Sequence, residues 1–468
     1  MTVDKTKLSY RNKIILAPMV RVGTLPMRLL ALEYGADIVY TEELIDLKMI
    51  KAKRRINDVL GTIDFVDPSD GSIIFRTCDK EKDKVVLQLG TSDAERALAV
   101  GKIVEHDVAG LDINMGCPKE FSIKGGMGVA LLSKPDKAVE ILKTLVDNLK
   151  IPVTCKIRIL PTTEDTINLV TKFAATGIAA IGIHCRRKDE RPQHQPHPNV
   201  IKAVAQAVDI PIIANGGSRE IDTYRDIFKF RDRCGVDSIM VARAAQLNVT
   251  IFRKEGLLPI FDVIKKYLKL CVDYDNPQSN TKYCVQSMLK ELQETPLGKK
   301  FLLTQTLHQI CNLWDLGDYC YKKQLEYQEK GNFGRREVCP GAIPGDDEET
   351  DGPQSKKHKP ESETPASSPD ILEHNIAFYR ANYVEDTSLP KSILHTFASK
   401  NFKGVPKYEI QRFDKLFRAI CSFDGKKYAS TFWEKNKKYA EQGSALVCLL
   451  NLGLIEESEL IKNGSILR

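Results

Sequence analysis

This chain of 468 residues has little that would tie it to a membrane, a secretory route or a metal. No apolar run reaches the ~18 residues a membrane-spanning helix needs, because Asp, Lys or Arg breaks each candidate. The opening Met1-Thr-Val-Asp-Lys-Thr-Lys7 lacks the apolar core of a signal peptide, and it is not the Arg- and Ser-rich stretch of a transit peptide. Twelve cysteines are scattered, with no Cys-x-x-Cys pair and no zinc-like Cys/His spacing. Cys185, His194 and His197 lie close in sequence, but their spacing fits no common metal site. The expectation is a protein of reduced thiols without a metal or a membrane contact, cytoplasmic, with the nucleus as a second location.

What the chain does contain is unevenly placed charge. The net charge is +7, yet Lys391 to Lys438 alone holds twelve Lys/Arg against four Asp/Glu. One short segment thus carries more net positive charge than the whole chain, a footprint for a polyanion.

From Lys13 to Ala245 a short apolar run, a turn and an amphipathic helix alternate. The runs are Ile14–Pro18, Ala36–Glu42, Val85–Gly90, Gly110–Gly116, Pro152–Arg158, Ala179–Arg186, Ile210–Gly217 and Asp237–Arg243. Eight such units predict an α/β fold, a (β/α)8 TIM barrel over residues 10–255. Thr62–Cys78, with a turn at Asp70-Gly71, predicts a hairpin inserted after the second strand. Helical periodicity then covers residues 256–330, with basic residues that fit a solvated face as well as a nucleic-acid surface. Residues 331–369 are poor in apolar residues and read as a disordered linker. Residues 370–454 read as an α+β unit of α-β-β-β-α order, closed by a helix over Phe432–Leu450.

The polar residues that interrupt the apolar runs share a position. Met19, Gln88, Asn114, Cys117, Lys156, Arg158, His184, Asn215 and Arg243 all fall at or just past the C-terminal end of a strand, where such barrels build their sites. Singly, each has an ordinary reading: Gln88 as a strand-end hydrogen bonder, Lys156 as partner of a buried acid, His184 as a core histidine. Jointly they are hard to explain by packing, since a buried Lys or Arg is costly unless paired. Gly216 and Gly217 after the seventh strand, with Ala242 and Arg243 after the eighth, suit a phosphate cradle. Cys117 stands at the tip of the fourth strand, beside a Gly-rich loop carrying Lys124.

Asn114-Met-Gly-Cys-Pro118 with Lys124-Gly-Gly-Met-Gly128 resembles the signature of tRNA dihydrouridine synthases. Ala17-Pro-Met19, Gln88, Lys156-Ile-Arg158, His184, Asn215-Gly-Gly217 and Ala242-Arg243 follow in family order. The C-terminal unit resembles a double-stranded RNA-binding domain, most clearly over Lys437-Lys-Tyr-Ala-Glu-Gln-Gly-Ser-Ala445. Together they look like the eukaryotic subclass that modifies uridine 20 of the tRNA D-loop. Three departures stand out: His184-Cys185-Arg186 where His-Gly-Arg is common, Val241-Ala-Arg-Ala for Gly-Arg-Gly, and a Tyr428–Glu434 turn without the usual glycines.

The resemblance implies FMN, NADPH or NADH as reductant, and tRNA as partner; a monomer is the expected state. Pro18, Met19 and Val20 would lie against the flavin ring and Gln88 would bond its pyrimidine edge. Lys156 and His184 would bond its N1/O2 side, and Asn215, Gly216, Gly217, Ala242 and Arg243 would take the phosphate. Cys117 would give a proton to uracil C5 while the flavin gives a hydride to C6. Asn114, Lys124, Arg158, Arg186, Lys407, Lys435, Lys437 and Lys438 would meet the RNA, with Arg158 equally suited to supporting the site from behind. Two alternatives remain at this stage: a flavin barrel oxidoreductase for a small molecule, and an RNA-binding protein whose barrel is a scaffold.

Overall fold

The structure is a computed structural model and describes residues 8–68, 71–191, 193–304, 306–330, 371–383, 386–401, 403–413, 416–434 and 436–466. The 331–369 segment read as a linker lies outside the described residues, as does Lys435. The described chain falls into two compact units, the first reaching through the helix that ends at Glu329, the second beginning at Ile371.

In the first unit, eight parallel strands close into a barrel: Ile14–Leu16, Ile38–Ile45, Val85–Gly90, Gly110–Met115, Val153–Arg158, Ala180–His184, Ile212–Asn215 and Ser238–Val241. Every expected strand is present, because fully buried parallel strands write themselves as continuous apolar runs. Alternation along the pleat then sorts their side chains. Ile15, Ala17, Ile38, Tyr40, Val86, Ala180, Ile213 and Met240 form one buried cluster, while neighbours such as Leu16, Val39, Leu87 and Ile113 pack under the outer helices. The first set lines the barrel interior. By the same parity Gln88, Asp112, Asn114, Thr154, Lys156, His184 and Asn215 point inward.

One irregularity breaks the parity. Between Tyr40 and Glu43 the second strand shifts register against the third, so that Glu43, not Glu42, pairs with Gln88. This β-bulge turns Glu43 toward the barrel mouth.

The expected hairpin is part of a larger insertion. Lys53–Asn57, Thr62–Val66 and Ile73–Thr77 form a three-stranded antiparallel sheet. Its first strand escaped the sequence reading because four of its five residues are exposed and three are basic, with no alternation. Buried ion pairs fasten the insertion: Arg76 donates to both oxygens of Asp64 at 2.6 and 2.7 Å, and Arg28 to Glu81 at 2.6 and 2.9 Å. The helices after residue 256 share the barrel's core, with Tyr267, Cys271, Cys284 and Phe301 in the same cluster as Met27 and Leu30.

The second unit has its own core around Leu394, Cys421, Leu446 and Leu449. The helix Pro390–Lys400, the strands Lys407–Phe413, Leu416–Phe423 and Lys426–Ser430, and the helix Lys437–Asn451 follow the expected order. The closing helix starts five residues later than expected, where Asn436 caps it by accepting from the Tyr439 N–H at 2.9 Å. A fourth strand, Ile371–His374, adds in parallel to Lys426–Ser430, and a short helix, Glu457–Lys462, lies beyond the expected end at residue 454.

Candidate active site at the barrel mouth

Asn114 and Cys117 are joined by a tight turn. The Asn114 side-chain oxygen accepts from the Gly116 N–H at 2.9 Å and the Cys117 N–H at 3.1 Å. From the neighbouring strand, Arg158 Nε donates to the Gly116 carbonyl at 2.9 Å, and its Nη1 donates to the Arg187 carbonyl at the same distance. The Val129 N–H donates to the Cys117 carbonyl at 3.1 Å. Gly128, at φ +58°, lies directly beneath: a Cβ there would stand 2.5 Å from the Cys117 carbonyl oxygen. The glycines of the 124–128 run thus let the chain press against the cysteine.

Cys117 is half-buried. Burial, followed by the adjacent Glu43 carboxylate, pushes its thiol above the ordinary range, so it keeps its proton at neutral pH. That is the state a proton donor needs and the opposite of an activated nucleophile. Glu43 is itself raised, first by burial, with hydrogen bonding to Cys117 and Asn114 opposing the shift, and its Oε1 alone is buried without a partner. Sequence reasoning missed Glu43, because strand parity counted from Ile38 and Tyr40 points to Glu42.

Deeper in the mouth, Lys156 sits opposite Asn114 and Arg158 opposite His184 in the strand register. Burial, then Arg158, lowers Lys156 to about 8, while Asp112 opposes the shift. His184 is pushed well below its usual value by burial, then by Lys156, Arg158 and Arg186, so its imidazole is neutral. Its Nδ1 is buried without a partner. An orphaned buried ring nitrogen calls for a polar group from outside the chain. Gln88 is 3% exposed and accepts from Asn114 Nδ2 at 3.3 Å.

Beyond the seventh and eighth strands, Asn215, Gly216, Gly217, Met240, Ala242 and Arg243 line a small, open recess. Gly216 adopts φ +119°, and a Cβ there would lie 2.5 Å from the Cys185 sulfur. The unusual Cys185 is fully buried and fills the space beside that glycine. Asn215 Nδ2 donates to the Met240 carbonyl at 3.1 Å, tying the two strand ends together. Arg243 is exposed at this recess. Pro18 and Met19 are partly buried and Val20 is exposed; the Met19 carbonyl accepts from the N–H groups of Val22 and Gly23 at 3.1 and 3.2 Å.

The residues assigned to RNA divide. Lys124 is exposed and pairs with Glu120 at 2.8 Å. Lys407, Lys437 and Lys438 are exposed in the second unit. Arg158 and Asn114 are committed to the Cys117 turn. Arg186 must be corrected: it is 1% exposed and donates to the Gly216 carbonyl at 2.7 Å and the His194 carbonyl at 2.9 Å. A guanidinium enclosed in this way braces the recess and is not presented to an RNA backbone.

Comparison with known proteins follows the same division. Residues 15–332 match the dihydrouridine synthase (Dus) family and residues 390–452 the double-stranded RNA binding motif. The tRNA-dihydrouridine(20) synthase of Schizosaccharomyces pombe is 41% identical over 293 residues, 60% of this chain and 60% of that protein. Its Saccharomyces cerevisiae counterpart is 37% identical over 302 residues, 60% of this chain and 78% of that protein. A crystal structure of the human tRNA-dihydrouridine(20) synthase dsRBD domain is 35% identical, covers 18% of this chain and 93% of that chain, and has a TM-score of 0.18. With the family match extending from the first barrel strand through the helices that share its core, the chain belongs to the dihydrouridine synthase family.

Proposed function

We propose that this protein is an FMN-dependent tRNA dihydrouridine synthase that reduces the 5,6 double bond of a D-loop uridine, U20, with NADPH or NADH as reductant. The observation that carries the reading is the Cys117 thiol, kept protonated at a mouth where His184 Nδ1 is buried without a partner. The relatives named for position 20 and for NAD(P)+ support the substrate and the reductant.

The residues suit FMN. His184 Nδ1 and the Lys156 ammonium offer polar contacts in a buried setting, and the 215–217 and 242–243 ends form a cradle with Arg243 as its cation. When bound, the flavin supplies the hydride. Lys156 would offer positive charge to the flavin ring, and neutral His184 would donate or accept a hydrogen bond there. Cys117 would deliver the proton to C5, and Glu43 beside it keeps the thiol protonated until transfer. The close approach at Gly128 presses the following loop against the donor.

Taking a uridine out of its stack costs a few kcal/mol. Phosphate contacts from exposed lysines of the second unit, Lys407, Lys437 and Lys438 among them, offset that cost and make binding salt-dependent. A double-stranded RNA binding motif also favours this reading over a small-molecule oxidoreductase, which has no use for one. The test is nucleoside mass spectrometry, mapped by position, of unmodified tRNA incubated with the flavin-loaded protein and NADPH. Dihydrouridine at position 20 is expected; unchanged uridine would overturn the assignment.

A further inference from the structure

One buried carboxylate has no part in the chemistry above. Asp112 is 1% exposed and precedes Asn114 by two residues, on the same inward face of the strand. Its Oδ1 accepts from Thr154 Oγ1 at 2.7 Å and its Oδ2 from Gln88 Nε2 at 2.8 Å. An ionised carboxylate offers only acceptors, so Gln88 must turn its NH2 toward Asp112 and its oxygen away. That oxygen accepts from Asn114 Nδ2 at 3.3 Å, which turns the Asn114 oxygen toward the backbone. There it receives the Gly116 and Cys117 N–H groups at 2.9 and 3.1 Å. Two amides that could each be turned over are given one polarity, and the series ends at the cysteine.

We propose that Asp112 is a positioning residue for Cys117: it directs the Gln88 and Asn114 amides and thereby holds the Cys117 turn in a single geometry. Its catalytic consequence rests on the reading of Cys117 as proton donor; its geometric consequence does not. Burial lifts the Asp112 carboxyl to about 6, with Gln88, Thr154 and Lys156 opposing, so the anion is the majority form at neutral pH. A neutral amide at 112 removes the acceptor-only end. Gln88 is then free to turn over, Asn114 follows, and the two backbone N–H groups lose their acceptor at a buried turn.

The experiment is alkylation of Cys117 by iodoacetamide in the full-length, flavin-loaded protein, read by peptide mass spectrometry beside far-UV circular dichroism. Asp112→Asn is expected to speed alkylation about fivefold or more as the turn loosens, with the dichroism unchanged. The double variant Asp112→Asn/Gln88→Glu is expected to return within about twofold of the native rate, because a carboxylate at 88 accepts from both the amide at 112 and Asn114. Gln88→Glu alone sets two carboxylates against each other and should share the defect of the first variant. A native alkylation rate in Asp112→Asn, or a double variant no slower than Asp112→Asn, overturns the proposal, since loss of general packing would not be rescued by reversing the polarity. If Asp112→Asn does not fold, Gln88→Glu reads the same link, and a native rate there overturns it. A native protein that shows this pattern of rates yet makes no dihydrouridine supports the positioning role and removes the functional reading instead.

Discussion

The guanidinium of Arg186 donates to the carbonyl of Gly216 at 2.7 Å, inside the protein. A residue that follows the His184 strand end, and that sequence order places among RNA contacts, therefore supports the loop assigned to the cofactor phosphate. Arg186→Ala leaves the Gly216 and His194 carbonyls without this donor, at about 1–3 kcal/mol for a buried group. FMN affinity is expected to fall about tenfold or more, measured by fluorescence titration of the apoprotein. tRNA affinity of the flavin-loaded fraction should not move; a parallel loss of tRNA binding would return Arg186 to the RNA surface.

Lys156 supplies the pH dependence. Its folded value of about 8 lies below the ordinary 10.5, so the ammonium is present below that pH and lost above it. If that charge faces the flavin, affinity for FMN should fall as pH rises from 7 to 9, approaching tenfold per unit at the alkaline end. Lys156→Met should bind more weakly and show a flat profile. A native protein whose FMN affinity does not change over this range would separate Lys156 from the cofactor.

Cys117→Ala should retain flavin absorbance and tRNA binding while losing dihydrouridine formation, since only the proton donor is removed. Glu43→Gln should leave the cysteine in place but lower its pKa, because the neighbouring negative charge that raises it is gone. The alkylation–pH curve of Cys117 would then move to lower pH. Turnover by Cys117→Ala at the native rate would remove the general-acid assignment.

Removing residues 370–468 should weaken tRNA binding about tenfold or more, roughly 1.4 kcal/mol. The loss should shrink as salt rises, because phosphate contacts release counterions. The second unit has a separate core, so the barrel should retain its flavin and its thermal transition. Equal tRNA affinity at physiological salt would refute a role for the C-terminal unit.

Much of this was written in local pattern. Eight apolar runs separated by helical periodicity determine a parallel barrel, because strands covered on both faces admit few polar residues. Asn114, Cys117, Lys156, His184 and Asn215 were legible for the same reason: each is a polar interruption where the pattern calls for an apolar residue. The Gly-rich turns at 126–128 and 216–217 were legible because few other residues fit there.

What the chain alone did not reveal depends on side chains meeting across the barrel. Glu43 reaches the mouth through a β-bulge, and no residue type announces a one-residue slip in pairing. Asp112 lies in an apolar run, but its two partners come from strands about 24 and 42 residues away in sequence. Arg186 could face solvent or the interior until the Gly216 carbonyl accepts its hydrogen bond. Sequence by itself determined the barrel and the RNA-binding motif and singled out Cys117 as the candidate cysteine, because periodicity and motif spacing are local. Only tertiary structure decided which polar groups support that cysteine and which remain without partners, because hydrogen bonds between distant strands exist only once the barrel has closed.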